Sequence, residues 1–294
     1  MSMLALDSQV AQEPLDPIDA ETFRTHFNRK PFKIGHRLAD HELFSLPRLV
    51  ELAQRLPHTM VEYNAGNLPV SQDPGSTPRN GLSTEETIRR IEECQSWMVL
   101  KNVELDGEYR TLLDECLDAI EPYSQPSAPG MYQREGFIFI SSPDSVTPFH
   151  IDPENNFLLQ IRGTKEVHLF DAGDRTVLPE RDIEAFFTGA HRNLVYKEEF
   201  LSRGQKFDLV PGEGLHFPVI APHWVKNGPA VSISFSITFR TSSSESRAAL
   251  YRLNSRLRRF GLRPSPVGRS PRRDALKLGA IGTVRALKRR LSGA

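Results

Sequence analysis

The sequence predicts a mainly β protein with helical additions, and three patterns lead to this prediction. From about residue 131, short apolar segments alternate with turn residues, as in proteins built from many short strands. The last of these segments, AVSISFSITF at 230–239, alternates apolar and small polar residues with the period of two that a strand requires. On both sides of this region, apolar residues recur at helical spacing. We therefore expect the strands in the middle of the chain, between two helical regions.

Composition places the chain among ordinary globular proteins. Apolar residues make up 38% of the 294 residues and charged residues 25%. The two cysteines, Cys94 and Cys116, give no disulfide framework and no metal-type spacing, which favours a reducing compartment. The first residues lack the pattern of a secretory signal, and no apolar run is long enough to span a membrane. We expect a cytoplasmic protein that does not enter a membrane.

Residues 1–130 are expected to form a mostly helical region that packs on the barrel. Three helix starts are indicated by capping residues and a fourth helix by its apolar spacing: Asp19, Ser45 followed by Pro47, the Ser83/Glu86 capping box, and 108–120. Between them, residues 64–82 are dense in Gly, Pro, Asn and Ser, which predicts a long surface loop.

Residues 131–243 are expected to form the barrel. The strand candidates that precede 230–239 are GFIFISS, NNFLLQI, KEVHLF, KFDLV and GLHFPV, with the tight turn VPGEG between the last two. Many short strands separated by turns favour a sandwich or small barrel. A double-stranded β-helix of the jelly-roll or cupin type is the architecture that we predict.

A His and an Asp one residue apart provide the first chemical motif. His150 and Asp152 would face the same side of a strand, and together supply two ligands of a two-His, one-carboxylate metal site. The third ligand must come from a distant strand, and His223 in FPVIAPHWVKN is the favoured candidate. His216 and His191 remain alternatives for this role.

Lys165 stands in an apolar strand candidate, where two interpretations apply. The usual one is a side chain that extends to the barrel rim. The functional one is a fixed cation inside the barrel that pairs with a carboxylate ligand, with the hydroxyl of Thr147 donating to the same carboxylate.

Two segments resemble a known family of oxygenases. TPFHIDPENNFLLQIRGTKEVHLF at 147–170 is similar to the metal-site segment of JmjC-type Fe(II)- and 2-oxoglutarate-dependent oxygenases, most closely the asparaginyl hydroxylase of hypoxia-inducible factor. VPGEGLHFPVIAPHWVKN at 210–227 resembles the second block, which leads to the distal His. The resemblance covers roughly residues 130–240 and implies a cupin-fold catalytic domain.

The resemblance also implies roles for individual residues. Those implied to hold Fe(II) are His150, Asp152 and His223, those implied to bind the distal carboxylate of 2-oxoglutarate are Lys165 and Thr147, and further pocket residues are Asn156, Ser236 and Tyr132. Ser236 stands where the family often has an Asn, and its shorter reach implies a change in cosubstrate geometry or substrate class.

The implied reaction is the hydroxylation of an unactivated C–H bond with O2, in which 2-oxoglutarate is converted to succinate and CO2. A protein side chain is the expected substrate, and a small natural product or amino acid is the alternative. A hypothesis of another class is a cupin-type regulator that binds a metal or ligand without turnover.

The C-terminal extension, residues 244–294, is strongly basic. Residues 241–294 carry 14 Arg or Lys and 2 Asp or Glu, a formal charge of +12, which leaves −12 on the remaining chain. We expect two helices, over 246–260 and 273–291, that dock partly on the acidic body and support a homodimer. Binding of nucleic acid is possible but less favoured, because the extension has few aromatic residues.

Overall fold

A computed structural model describes residues 13–292 of the chain. The helices are α1 (Ala20–His26), α2 (Leu46–Arg55), α3 (Thr84–Arg89), α4 (Gly107–Ser124), α5 (Glu180–Phe186), α6 (Ser242–Arg259) and α7 (Pro271–Ser292). The strands are β1 (Phe32–Gly35), β2 (Val61–Ala65), β3 (Ser96–Lys101), β4 (Tyr132–Ser141), β5 (Val146–His150), β6 (Asn155–Arg162), β7 (Lys165–Phe170), β8 (Gly204–Leu209), β9 (Glu213–Phe217), β10 (His223–Asn227) and β11 (Ser232–Arg240). Short 3-10 helices occupy Glu42–Phe44, His58–Met60, Pro74–Ser76, Val103–Leu105 and Glu198–Arg203.

The strands form two antiparallel sheets. The larger sheet has the order β1-β9-β6-β11-β4-β3-β2, and the smaller has the order β5-β10-β7-β8. One cluster of buried side chains joins them, with Leu158 and Leu215 from the larger sheet and Val167, Leu209 and Val225 from the smaller. The sheets therefore pack face to face. This confirms the prediction of a mainly β protein with helical additions and a cupin-type barrel.

A second and larger core lies between the outer face of the large sheet and the N-terminal helices. Ile233, Phe235 and Ile237 of β11 contribute to it together with Leu49 of α2 and Leu113 of α4. The small polar residues that alternate with them on β11 point the other way, into the barrel. β11 is thus buried on both faces, and its period of two separates an apolar core from a polar interior.

The N-terminal region contains three strands in addition to the helices that the sequence predicted. Its helices begin where the capping residues indicated, and Ser83 and Glu86 form the expected capping box. However, β1 pairs with β9, and β2 and β3 extend the same sheet beyond β4. These three strands were missed. β3 is buried along almost its whole length, so it has no alternation to reveal it.

Two short strands inside the barrel region were also missed, and both carry site residues. β5 contains Pro148, which is tolerated because β5 is an edge strand. β10 begins at His223, in a segment that was not among the strand candidates. Asp152 lies just after the end of β5, so the argument that placed His150 and Asp152 in one strand is wrong for Asp152.

The C-terminal extension forms α6 and α7, joined by a linker of irregular structure. α6 packs on the body through Ala248, Leu250 and Tyr251, whereas Leu276 and Val284 of α7 are exposed. Residues 1–12, on which the expectation of no secretory signal rests, lie outside the described part, as do the side chains of Leu287 and Leu291. None of the helices in the described part has the length and apolar composition that crossing a membrane requires. The domain limits at 130 and 243 stay a prediction.

Candidate metal centre

The two candidate histidine ligands face each other across neighbouring strands. β5 and β10 are antiparallel, and His150 and His223 are partners in their register. The ring centroids lie 4.1 Å apart, and both side chains are buried. Strand pairing therefore brings together two residues that are far apart in the sequence.

Asp152 completes a compact group of three ligands. One ligand atom from each of His150, Asp152 and His223 can be chosen so that all lie within 4.8 Å of one another. Oδ2 of Asp152 is 3.5 Å from Nε2 of His150 and 3.6 Å from Nε2 of His223. Two imidazoles and one carboxylate on one side of an open space fit a non-haem iron site that leaves positions free for ligands.

Both imidazole rings are fixed by the nitrogen that points away from this centre. Nδ1 of His150 donates to the carbonyl oxygen of Pro148 at 2.7 Å, and Nδ1 of His223 donates to that of Ala221 at 2.9 Å. These bonds assign the proton to Nδ1 and leave the lone pair of Nε2 for a metal.

Electrostatics favour the metal-binding state of two of the three groups, Asp152 and His223. Burial alone would raise the pKa of Asp152, but its interactions with His150 and Arg192 outweigh this effect and hold the pKa well below its usual range. Burial lowers the pKa of His223 to about 3. A carboxylate and neutral imidazoles are the forms that coordinate a metal.

Arg192 is a site residue that sequence analysis missed. Its Nη1 donates to Oδ1 of Asp152 at 3.0 Å, which leaves Oδ2 facing the two histidines. Its backbone carbonyl accepts from the N–H of Ile151. Arg192 belongs to the loop before the 3-10 helix at Glu198–Arg203, and nothing in the sequence of that loop indicates a contact with Asp152.

A cavity of about 490 Å³ opens beside the three ligands. Five of the residues that the sequence predicted for the site line this cavity: Thr147, His150, Asp152, Asn156 and Ser236. The cavity is also lined by Glu62 and Asn64 of β2, by Trp97 and Val99 of β3, and by residues of the 64–82 loop, several of them exposed. The predicted surface loop is therefore part of the cavity entrance.

Lys165 is buried, which excludes the interpretation that its side chain extends to the barrel rim. Its side chain is 5% exposed, and Nζ lies 5.9 Å from the ring centroid of Phe139, which is part of the cavity wall. Among residues 13–292, no group forms a hydrogen bond or salt bridge with Nζ within the usual distances. Burial lowers the pKa of Lys165 from 10.5 to about 7. Lys165 and His223 are not among the residues that line the cavity.

Asn156 and Ser236 form a hydrogen-bonded pair in the cavity wall. Oγ of Ser236 donates to Oδ1 of Asn156 at 2.7 Å. Tyr132, by contrast, is 41% exposed at the start of β4, pairs in register with Arg240, and is not among the residues that line the cavity. The lining of the cavity gives no support to the expectation that Tyr132 supplies a pocket hydroxyl, because its strand brings Phe137 and Phe139 to the cavity instead.

The alternative histidines, His216 and His191, occupy other environments, as does His168 of β7. His216 is fully buried on the helical side of the large sheet, where Nε2 accepts from the backbone N–H of Asn28 and the ring stacks on Phe27. His191 is an exposed residue of the cavity entrance. His168 stacks on Trp224 with 3.9 Å between ring centroids. None of the three joins the group formed by His150, Asp152 and His223.

Comparison with known proteins identifies the family. The family model described as Cupin-like domain matches residues 36–245, more than half of the chain, so the chain belongs to this family. The match begins well before residue 131, in agreement with the strands that the N-terminal region adds to the large sheet.

Solved structures with a similar arrangement include three of YcfD from Escherichia coli. The structure of the ribosomal oxygenase YcfD with cobalt and 2-oxoglutarate has 14% identity and a TM-score of 0.47, over 85% of this chain and 59% of that one. A second structure of the ribosomal oxygenase has 14% identity and a TM-score of 0.49, over 92% and 66%. A third, of E. coli YcfD, has 14% identity and a TM-score of 0.48, over 87% and 62%. This chain spans less than two thirds of the length of each.

Proposed function

We propose that the protein is an Fe(II)- and 2-oxoglutarate-dependent oxygenase that hydroxylates an unactivated C–H bond. The observation that carries this proposal is the group of His150, Asp152 and His223 beside a cavity, with the buried and unpaired ammonium of Lys165 near the same cavity. The ligand set suits Fe(II), and the cation suits a dicarboxylate that reaches from the metal into the barrel.

The unpaired state of Lys165 is the strongest support for an anionic cosubstrate. A buried ammonium without a partner is costly and its pKa falls toward the neutral amine, so an anionic ligand that pairs with it would compensate this cost. Lys165 and Thr147 are proposed to hold the distal carboxylate of 2-oxoglutarate. Asn156 and Ser236 are proposed to hydrogen-bond the cosubstrate from the opposite wall, through groups that their mutual bond leaves free.

Bound Fe(II) would supply the oxidative chemistry, in which 2-oxoglutarate and O2 give succinate, CO2 and a hydroxylated product. The residues of the chain supply the geometry. The bonds from Nδ1 to Pro148 and Ala221 fix the imidazole rings, and Arg192 fixes the carboxylate of Asp152. Phe137 and Phe139 make part of the cavity wall apolar, which limits the water around the reacting groups.

A polypeptide side chain is the substrate that we propose. The resemblance of residues 147–170 to an asparaginyl hydroxylase supports it, and the cavity entrance between the 64–82 loop and His191 is open to a side chain from outside. A cavity of about 490 Å³ also lies in the range of small-molecule sites, which keeps a small-molecule hydroxylase as the second candidate.

Succinate formation tests the oxygenase proposal. Purified protein is incubated with Fe(II), ascorbate, 2-oxoglutarate and O2, and the variant His150→Ala is assayed in parallel. The matched control is His58→Ala, which changes an exposed histidine far from His150 in the sequence. We expect iron-dependent succinate from wild type and His58→Ala, and only background from His150→Ala. A wild-type protein that neither forms succinate nor binds 2-oxoglutarate when loaded with metal would contradict the proposal and favour the metal-binding regulator.

We also propose a homodimer in the cytoplasm. The exposed Leu276 and Val284 of α7 support a second copy packing on this helix, and both cysteines are free thiols, as in reducing compartments. Light scattering of the full chain would give the mass of two copies, whereas Leu276→Asp would give that of one. A wild-type mass of one copy would contradict the dimer.

A further inference from the structure

The C-terminal helices form an antiparallel hairpin with an ordered connection. Nζ of Lys277 in α7 donates to Oδ1 of Asn254 in α6 at 2.7 Å, and Nδ2 of Asn254 donates to the carbonyl of Ser265 in the linker at 3.2 Å. Toward the far end of the hairpin, Val284 of α7 lies beside Ala249 of α6 in a shared cavity wall. The end of α6, the linker and the start of α7 therefore lie together, and we name residues 256–273 the hairpin tip.

Basic residues are concentrated at this tip. Six of its arginines are exposed: Arg256, Arg259, Arg263, Arg269, Arg272 and Arg273. None of the six forms a salt bridge with any residue in the described part of the chain. The nearest acidic residue in sequence, Asp274, is 8% exposed, and its Oδ2 accepts from the backbone N–H of Gly268 at 2.7 Å. The charge of the tip is thus uncompensated and faces solvent.

The acidic body accounts for only one basic residue of this region. Arg258 pairs with the buried Glu184 of α5 at 2.8 Å, which fixes α6 to the body. The expectation that the basic extension docks partly on the body is met by this ion pair and by Arg252, whose Nε donates to the backbone carbonyl of Phe187 at 3.1 Å, while Arg256 and Arg259 are exposed. Docking within the chain therefore does not explain the positive charge of the hairpin tip.

An exposed aromatic ring stands among these arginines. Phe260 is 84% exposed and Leu262 is 56% exposed, with Arg259 and Arg263 on either side in sequence. An exposed aromatic ring beside cations is the arrangement on which single-stranded nucleic acids stack their bases while their phosphates pair with the cations. Arginine suits this role because its planar fork binds phosphate through two hydrogen bonds.

We propose that the hairpin tip binds single-stranded RNA, with the arginines on the phosphates and Phe260 on an unstacked base. An anionic membrane is less suited to this surface, because the tip exposes only two large apolar side chains, fewer than a helix lying in a membrane interface presents. The surface is separate from the metal centre, so RNA binding does not depend on the proposed oxygenase activity.

The test is the binding of a labelled single-stranded RNA to the full chain, followed by fluorescence anisotropy over a range of salt concentrations. The test variant is the triple substitution Arg259→Gln, Arg263→Gln, Arg272→Gln. Its matched control is Arg29→Gln, Lys30→Gln, Arg181→Gln, which removes three exposed basic residues that are unpaired in the described part of the chain and lie outside the tip. Phe260→Ala tests stacking, and anionic vesicles serve as a competing surface. All substituted residues are exposed, and circular dichroism checks that the variants fold.

We expect the test triple to weaken RNA binding by about tenfold or more and to reduce the salt dependence by roughly two units of slope, since each lost phosphate contact on a single strand removes about 0.7. Phe260→Ala should weaken binding about fivefold or more, and His150→Ala should bind like wild type. Equal losses in the two triples would show a diffuse effect of net charge and overturn the proposal. So would wild-type protein that binds vesicles but no RNA at low salt.

Discussion

His150 and His223 are cross-strand partners whose rings are fixed in the same way. Each donates Nδ1 to the carbonyl oxygen two residues before it in sequence, that of Pro148 and that of Ala221. Each therefore directs Nε2 toward Oδ2 of Asp152, at 3.5 and 3.6 Å. Backbone carbonyls adjacent to the ligands thus prepare the centre before any metal binds.

Loss of one ligand should remove most of the metal affinity. We expect His223→Ala to weaken the binding of Fe(II) or Co(II) by at least about 100-fold, because two of three ligands are left in a buried site. Calorimetric titration checks this, with His58→Ala as the control that should keep wild-type affinity. Equal affinities in the two variants would show that the metal binds elsewhere.

Lys165→Met should change stability and cosubstrate binding in opposite directions. Without a ligand, the buried ammonium has no partner, so its replacement by an apolar side chain of similar length should raise the melting temperature. The same variant should bind 2-oxoglutarate at least about 100-fold more weakly, since a carboxylate pairing is lost. A variant that is less stable and binds 2-oxoglutarate normally would refute the proposed role.

The affinity for 2-oxoglutarate should fall as the pH rises above 7. The pKa of Lys165 in the ligand-free fold is about 7, so at higher pH a proton must be taken up before the ammonium can pair with the cosubstrate. We expect a loss of up to about tenfold per pH unit between pH 7 and 9 in metal-loaded protein. Lys165→Met should show weak affinity without this slope. A wild-type affinity that stays constant over the range would contradict the assignment.

The same depressed pKa predicts how stability without ligand depends on pH. Because unfolding returns the pKa of Lys165 from about 7 to 10.5, the unfolded chain binds more protons between these values, and stability should rise with pH in that window. Below pH 7 the penalty of the buried charge is fully present. The difference in melting temperature between Lys165→Met and wild type should therefore be largest below pH 7 and shrink toward pH 10. A difference that grows with pH would oppose this account.

Arg192 should act through Asp152 and affect the metal. Arg192→Met removes the donor to Oδ1, so the carboxylate loses its orientation and its neighbouring positive charge. We expect metal affinity to fall by about 10- to 100-fold. Arg181→Met, at an exposed residue of α5, is the matched control and should have no effect. A loss of the same size in the control, or none in Arg192→Met, would exclude this role.

The turn before Lys165 depends on a glycine. Gly163 has φ of +70°, and an added Cβ would overlap the backbone carbonyl oxygen of Val231. Gln160 braces this turn by donating to the carbonyl of Gly163 at 3.1 Å. We expect Gly163→Ala to lower the free energy of unfolding by about 2 to 4 kcal/mol. Gly279→Ala, at an open position of α7, should be neutral or slightly stabilising, and denaturant unfolding compares the two.

The sequence predicted those strands in which apolar and polar residues alternate or which end in recognisable turns. β4, β6, β7 and β11 lie where their apolar patterns indicated, and the helix caps at Asp19 and Ser83 were placed correctly. β5 was obscured by Pro148, and β3 by burial that leaves no alternation. Strands of this kind become recognisable only through their partners, which lie far away in the sequence.

The sequence predicted those residues of the candidate site that belong to recognisable motifs. His150, Asp152 and His223 come together as expected, and Thr147, Asn156 and Ser236 share the cavity wall. The contact of Arg192 with Asp152 depends on the path of a loop. The absence of a hydrogen-bonding partner for Lys165 depends on which side chains the fold places around it. Neither has a local pattern, so only the folded chain reveals them.

The most direct test of the central claim is the anaerobic addition of Fe(II) and then 2-oxoglutarate to the purified protein, followed by visible absorption. Chelation of iron by the 2-oxo acid gives a charge-transfer band without requiring the unknown substrate. We predict this band for wild type and His58→Ala, and its absence in His150→Ala. A wild-type protein that binds Fe(II) but shows no such band with excess 2-oxoglutarate would contradict the assignment of this cavity as a 2-oxoglutarate site.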